Sequence, residues 1–168
     1  MMSKIGLVVE GESDKEFFIQ CFKNKYPQFR NMQIQHAKKM KHKNTIHNRI
    51  NDLRDKGCDR IFVLPDLDDE SCVVNFKHSY IQQIGLGVMS DVTVVVIGKE
   101  VESWVMSAFG ESNSKTKEDA KKHFDLSGKK DSLELTIVKK FIASKQNLKC
   151  KNNDSLRYFI EKLGLECK

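Results

Sequence analysis

No apolar run in the chain approaches the roughly 18 residues that a membrane-crossing helix needs. Its first residues, Met1-Met-Ser-Lys4, lead straight into a strand and a charged turn, without the pattern of a secretory signal. The expectation is a cytoplasmic protein with no membrane partner. C-x-x-C pairs are also missing. The five cysteines (Cys21, Cys58, Cys72, Cys150 and Cys167) are odd in number and scattered, which argues against both a disulfide framework and a zinc site. The histidines are scattered too. His36, His42 and His47 are near in sequence, but no cysteine or acidic residue completes a ligand pattern with them. The chain contains neither an internal repeat nor a low-complexity segment.

What is present suits one soluble domain with a small appendage. The 168 residues are 39% apolar and 31% charged, enough to bury a real core. The net charge of +6 is unevenly placed. Residues 1–110 hold 15 Lys/Arg against 14 Asp/Glu, and residues 111–168 hold 14 against 9. A near-neutral body with a basic extension fits a polyanionic partner, although a merely soluble lysine-rich surface has the same balance.

The hydrophobic pattern predicts alternating strands and helices. Lys4–Val9 reads as a buried strand that delivers Glu10 to its carboxyl end. Gly11 permits a turn, and Ser13 caps a helix with Glu16 at capping-box spacing. That helix runs to about Lys25, with Phe17, Phe18, Cys21 and Phe22 facing inward. Asn31–His36 is a weaker strand. Ala37–Lys43 carries Lys38, Lys39, Lys41 and Lys43, whose charges face solvent or a phosphate backbone. Asn44–Lys56 is an amphipathic helix ended by Gly57. Arg60–Leu64 is the third strand. Ser71–Ile84 is a helix with Val73, Val74, Phe76, Tyr80, Ile81 and Ile84 available for packing. Val92–Ile97 has the strongest strand signal, fit for a centre covered on both faces. Further helices are expected over 132–144 and 155–163. With right-handed crossovers this order gives an α/β fold, a Rossmann-like parallel sheet flanked by helices, with a helical extension. The boundary is placed near residue 110: a body over 1–110 and a basic helical extension over 111–168 packed on it.

Carboxylates recur where strands end. Glu10 follows the first. Asp66, Asp68, Asp69 and Glu70 follow the third, after Pro65. Glu100 and Glu102 follow the fourth, after Gly98-Lys99. Asp66 and Asp68, two apart, project to one side if the backbone is extended. Taken singly, each group suits the start of a helix. Three acidic strand ends on one edge of a parallel sheet repel one another unless a cation offsets the charge. Oxygen-only ligands favour a hard cation, Mg²⁺ before Mn²⁺ or Ca²⁺.

Leu7-Val-Val-Glu-Gly-Glu-Ser-Asp14, before a Phe-rich helix, resembles the first motif of the Toprim domain, and Asp66-x-Asp68 after its strand resembles the second. Glu100-Val-Glu102-Ser-Trp104 is similar to the acidic motif of small stand-alone Toprim-like proteins, the DUF4276 (RloG-like) group. The resemblance covers about residues 4–109. It implies a Toprim-like fold, one or two Mg²⁺ or Mn²⁺ ions and phosphoryl-transfer chemistry. Glu10 would be a metal ligand or general acid/base, with Asp66 and Asp68 as metal ligands. Glu70 and Glu100 or Glu102 could complete a second ion, as in the OLD-type pattern. Lys99, or a lysine of the 38–43 loop, could place positive charge near the scissile phosphate. The Asp69-Glu70 pair departs from the small or glycine residue common at that point in the family.

The implied function is a metal-dependent nuclease on DNA or RNA. The analogy with OLD-like and RloG-like proteins adds an ATPase partner and a role in phage defence. The three tyrosines (Tyr26, Tyr80, Tyr158) lie outside the site motifs, and the domains that a topoisomerase or a primase requires are missing. A non-catalytic module that binds nucleic acid or a partner, and a small phosphatase-like hydrolase, are the alternatives. The sequence leaves the oligomeric state open.

Overall fold

The computed structural model of the chain describes residues 3–68, 70–111, 115–126 and 132–167. It is α/β, with a four-stranded, all-parallel, Rossmann-like sheet. Two compact units form: Met1–Pro65 with Glu70–Val96, and Asp66–Asp69 with Ile97–Lys168. The boundary expected near residue 110 falls inside the second of these.

The first unit contains the whole sheet. Strand β1 (Ile5–Val9) is buried at every position, as its unbroken apolar run requires. It lies between β2 (Gln33–His36) and β3 (Arg60–Val63), and β4 (Val92–Val94) pairs with β3, giving the order β2-β1-β3-β4. The register sets Val9 opposite His36, Val8 opposite Val63, and Val63 opposite Val94. Pro65 has no N–H to give, so the β3 ladder ends before it. The chain passes from β1 out to β2 and returns to β3 on the other side of β1. The carboxyl ends of β1 and β3 therefore flank a topological switch point, where open α/β sheets bind their ligands.

Helix α1 (Glu12–Phe18) continues as a π-helical turn, Ile19–Lys23. It buries Phe17, Phe18 and Phe22, whose rings meet edge-on or stacked. The predicted Ser13–Glu16 cap is corrected. The helix starts two residues earlier, Gly11 is its N-cap, and the Asp14 carboxylate accepts the Gly11 N–H at 3.2 Å. Helix α2 (Lys43–Asp55) packs Ile46, Ile50 and Leu53 inward and contacts β1 and β2. Its approach depends on Gly6, where a Cβ would meet a Leu53 methyl at 3.0 Å. Gly57 ends α2 at φ +79°, the C′ role its sequence position predicts. In helix α3 (Val73–Ile84) only Tyr80 and Ile84 are fully buried. Val73 and Val74 are 41% and 73% exposed, so their predicted packing does not occur.

The second unit is helical: α4 (Val101–Ser107), α5 (Lys117–His123), α6 (Leu133–Ala143) and α7 (Asp154–Lys162). All seven residues of α4 are buried, and Trp104 stacks on Phe159 of α7 with ring centroids 5.4 Å apart. Ile137, Val138 and Phe141 are the buried side of α6. The expectation that no cysteines pair is corrected here. Cys150 and Cys167 form a disulfide, with Cα atoms 5.8 Å apart, that closes a ring of chain around α7. They escaped notice because the two ends of a helix are far apart in sequence and, once the chain turns back past α7, adjacent in space.

Candidate functional site

In the first unit, Glu10 is half-buried immediately past β1. Burial, and secondarily the charge of Glu10, push the Tyr80 phenol well above its ordinary range. That phenol donates to the Met40 carbonyl at 2.8 Å. The Ala37–His42 segment is thereby tied down. Ala37 N–H donates to Val9 O at 2.8 Å, and the Gln83 amide reaches Lys41 O at 3.4 Å. Ala37 and Met40 are buried, while Lys38, Lys39, Lys41 and Lys43 are all exposed. Apolar anchors alternate with solvent-facing cations, so the segment presents a fixed array of positive charge. The sequence reading missed one partner. His36, at the end of β2, has its Nδ1 3.0 Å from the Glu12 carboxylate. Glu70 is exposed and belongs to this unit, and Asp69 lies outside the described residues.

In the second unit, two acid-bearing turns are stitched together by backbone. Asp66 and Ile97 form a parallel bridge, Leu67 N–H donates to Ile97 O at 2.9 Å, and Asp68 N–H donates to Lys99 O at 3.2 Å. The Asp66–Asp68 segment thus runs beside the segment leading to Glu100 and Glu102, as the convergence of strand ends predicts. The local geometry differs from expectation. Asp68 has φ +51°, so Asp66 and Asp68 do not sit in one extended stretch, and Asp68 turns outward and is exposed while Asp66 is half-buried. Aspartate tolerates this left-handed region better than most residues. Lys99 also has positive φ, +67°, which is unusual for a long side chain.

Glu102 is buried, at 5% exposure, in the first turn of α4. Glu100 is the N-cap of α4, and its carboxylate accepts the Lys117 N–H at 2.9 Å, at the start of α5. The Lys117 ammonium meets Glu134 at 2.8 Å. That hydrogen bond, together with the charges of Glu134, Glu100 and Glu102, pushes the lysine above its ordinary value.

The turn that carries these acids is held from α7 by Ser155, the first residue of the expected final helix, and by Asn153 just before it. Ser155 Oγ accepts the Gly98 N–H at 3.0 Å and the Trp104 indole N–H at 2.8 Å, and it donates to Asn153 Oδ1 at 3.1 Å. Asn153 is fully buried. It caps α7 by accepting Leu156 N–H, and its amide donates to Ser103 O. Ser103 Oγ donates to Gly98 O at 2.7 Å. The detectable signal was Asn153-Asp-Ser155 just before an amphipathic run, a helix-start signature.

Of the free cysteines, Cys72 is exposed, whereas Cys21 and Cys58 are poorly suited to act as nucleophiles. Burial pushes the Cys21 thiol up to about 12 and raises that of Cys58 as well. Among the described residues, no three His, Cys, Asp or Glu side chains are gathered so as to hold a metal ion. The donor set still suits a hard cation. Mg²⁺ keeps several waters and is commonly held by one or two carboxylates plus phosphate oxygens, rather than by an all-protein cage. No family model matches the chain, and no curated protein or solved structure matches it.

Proposed function

We propose that the protein is a Mg²⁺- or Mn²⁺-dependent nuclease of Toprim type, hydrolysing phosphodiester bonds in DNA or RNA. The observation that carries this reading is the backbone stitching of Asp66–Asp68 to Ile97–Lys99. It sets two acidic turns side by side within one unit, one of them with a half-buried carboxylate. Burying carboxylates together is costly, and a site for a divalent cation is a common reason to do so.

In this reading Asp66 and Asp68 would hold the ion together with waters and phosphate oxygens of the substrate, and Glu102 on the neighbouring turn would act from outside that set, since no three such side chains are gathered among the described residues. Bound there, a divalent cation would supply an activated water and offset charge on the leaving oxygen. Lys99 neutralises charge on the phosphate undergoing attack. By resemblance, Glu10 would have the first-motif role, as metal ligand or general acid/base, and Glu70 that of a ligand to a second ion. Lys38, Lys39, Lys41 and Lys43 bind the phosphate backbone without reading its bases. An ATPase partner and a place in phage defence follow by analogy with the OLD-like group.

One observation favours a second reading, a non-catalytic module that binds nucleic acid or a partner protein. The Glu100 carboxylate already serves as a structural acceptor for the start of α5. Supercoiled plasmid and single-stranded RNA incubated with the protein in EDTA, Mg²⁺ or Mn²⁺ decide between them. The nuclease reading expects cleavage that EDTA abolishes and that Asp66→Ala lowers by about a hundredfold or more, the scale of losing a principal electrostatic group. Binding without cleavage in every metal condition supports the second reading instead.

A further inference from the structure

We propose that Ser155, fixed by Asn153, is a positioning residue for the acid-bearing turn Gly98–Glu102, so that α7 is a working part of the metal site. The inference rests on the metal-site reading above and adds to it a role for the chain beyond residue 110. Gly98 is held at both of its backbone polar groups, its N–H by Ser155 Oγ and its C=O by Ser103 Oγ. The next residue, Lys99, has a left-handed backbone that a lysine adopts only when its surroundings impose it. Lys99 O in turn accepts the Asp68 N–H, so the hold on Gly98 extends through one residue to the second aspartate. Ser155 Oγ makes three hydrogen bonds, two accepted and one donated, which uses the capacity of a hydroxyl. It reaches the turn directly and also through the indole of Trp104, two residues past Glu102.

The network is polar, yet Asn153, Ser103 and Trp104 are each at 0% exposure. A buried polar network specifies one arrangement when fully satisfied and is penalised when one member is removed. For helix packing alone, an apolar residue would serve at position 155. A hydroxyl there fixes the direction of Gly98 and hence the path of residues 99–102.

The test uses the full chain and Mn²⁺. Trp104 is the only tryptophan, and its indole N–H is bonded to Ser155, so its emission reports on the network itself. Mn²⁺ binding is read by the electron paramagnetic resonance of free Mn²⁺ and by Trp104 emission, with circular dichroism confirming the fold. Ser155→Ala is expected to weaken Mn²⁺ binding about tenfold and to shift Trp104 emission, with the fold retained. Ser155→Thr, which keeps the hydroxyl, should restore most of the affinity. Ser103→Ala releases the other side of Gly98 and is expected to weaken Mn²⁺ binding in the same direction; it carries the test if Ser155→Ala does not fold. Equal Mn²⁺ affinity in wild type and the folded variants overturns the positioning role while leaving the metal-site reading intact. A wild-type chain that takes up no Mn²⁺ up to millimolar levels, with or without oligonucleotide, overturns both.

Discussion

The lysine segment of the first unit and the acidic turns of the second carry opposite charge, and they differ in how far water reaches that charge. Lys38, Lys39, Lys41 and Lys43 are exposed on a backbone pinned by buried Ala37 and Met40, and water screens each cation. Asp66 and Glu102 are partly or wholly withdrawn from water, on turns held by hydrogen bonds and by the buried side chains of Leu67, Ile97 and Val101. Exposed charge costs little to maintain and acts within about a Debye length, roughly 8–10 Å at physiological salt. Withdrawn charge is costly and acts at contact. In the proposed reading the first captures a polyanion and the second works on one bond of it.

The largest expected effect is on the acidic side. Asp66→Ala should lower metal-dependent cleavage by about a hundredfold or more. Its melting temperature in EDTA should hold or rise, because removing one carboxylate relieves repulsion. A melting transition that collapses in metal-free buffer would instead mark Asp66 as structural. Next is the scaffold of that side. Reducing Cys150–Cys167, or changing Cys150 to serine, should destabilise the second unit by about 3 kcal/mol, the chain-entropy value for a separation of 17 residues. Chemical denaturation with and without reductant measures it.

The lysine side should respond differently. Changing all four lysines to alanine should leave the rate of the bound complex nearly unchanged. It should flatten the dependence of log K on log salt by about 0.9 for each phosphate that is no longer neutralised. Equal slopes would remove the segment from the interface. The smallest effect concerns a pair outside both regions. Arg54 meets Asp91 through two hydrogen bonds of 2.7 Å, and these hold the carboxyl below its ordinary 3.8. Folded Asp91 binds a proton less readily than unfolded Asp91. Its contribution is therefore complete above that ordinary value and is lost as pH falls through the lowered one. Because both side chains are about a third exposed, Asp91→Asn should cost about 0.5–1 kcal/mol at pH 7 and almost nothing near pH 2, read by urea melts at the two pH values.

Much of the fold was legible because its signals are local. Ile5–Val9 and the Arg60–Val63 run stand out as apolar stretches ended by a breaker, and Gly57 marks the end of α2. The convergence of Asp66–Asp68 with the 97–102 turn was legible because parallel strands end on one edge. What stayed hidden depends on partners distant in sequence or on backbone that composition does not specify. The positive φ of Asp68 and Lys99, the use of Glu100 by α5, and the hold of Ser155 on a glycine 57 residues away are of this kind. The cap of α1 failed for a nearer reason: Gly11 followed by Asp14 serves as well as serine followed by glutamate, and the helix took the earlier start.

The second unit is discontinuous, and this sets an order of assembly. Asp66–Asp69 belongs with residues 97–168, yet α3 and β4 are made between them. During synthesis the acidic segment emerges well before Ile97, which gives it its bridge, and its loop must close before that pairing repays the chain entropy it costs. A fragment beginning at residue 97 would keep all four helices but lack the donors that Ile97 and Lys99 accept. Asp66 and Asp68 thus cannot take their places until α3 and β4 have been made.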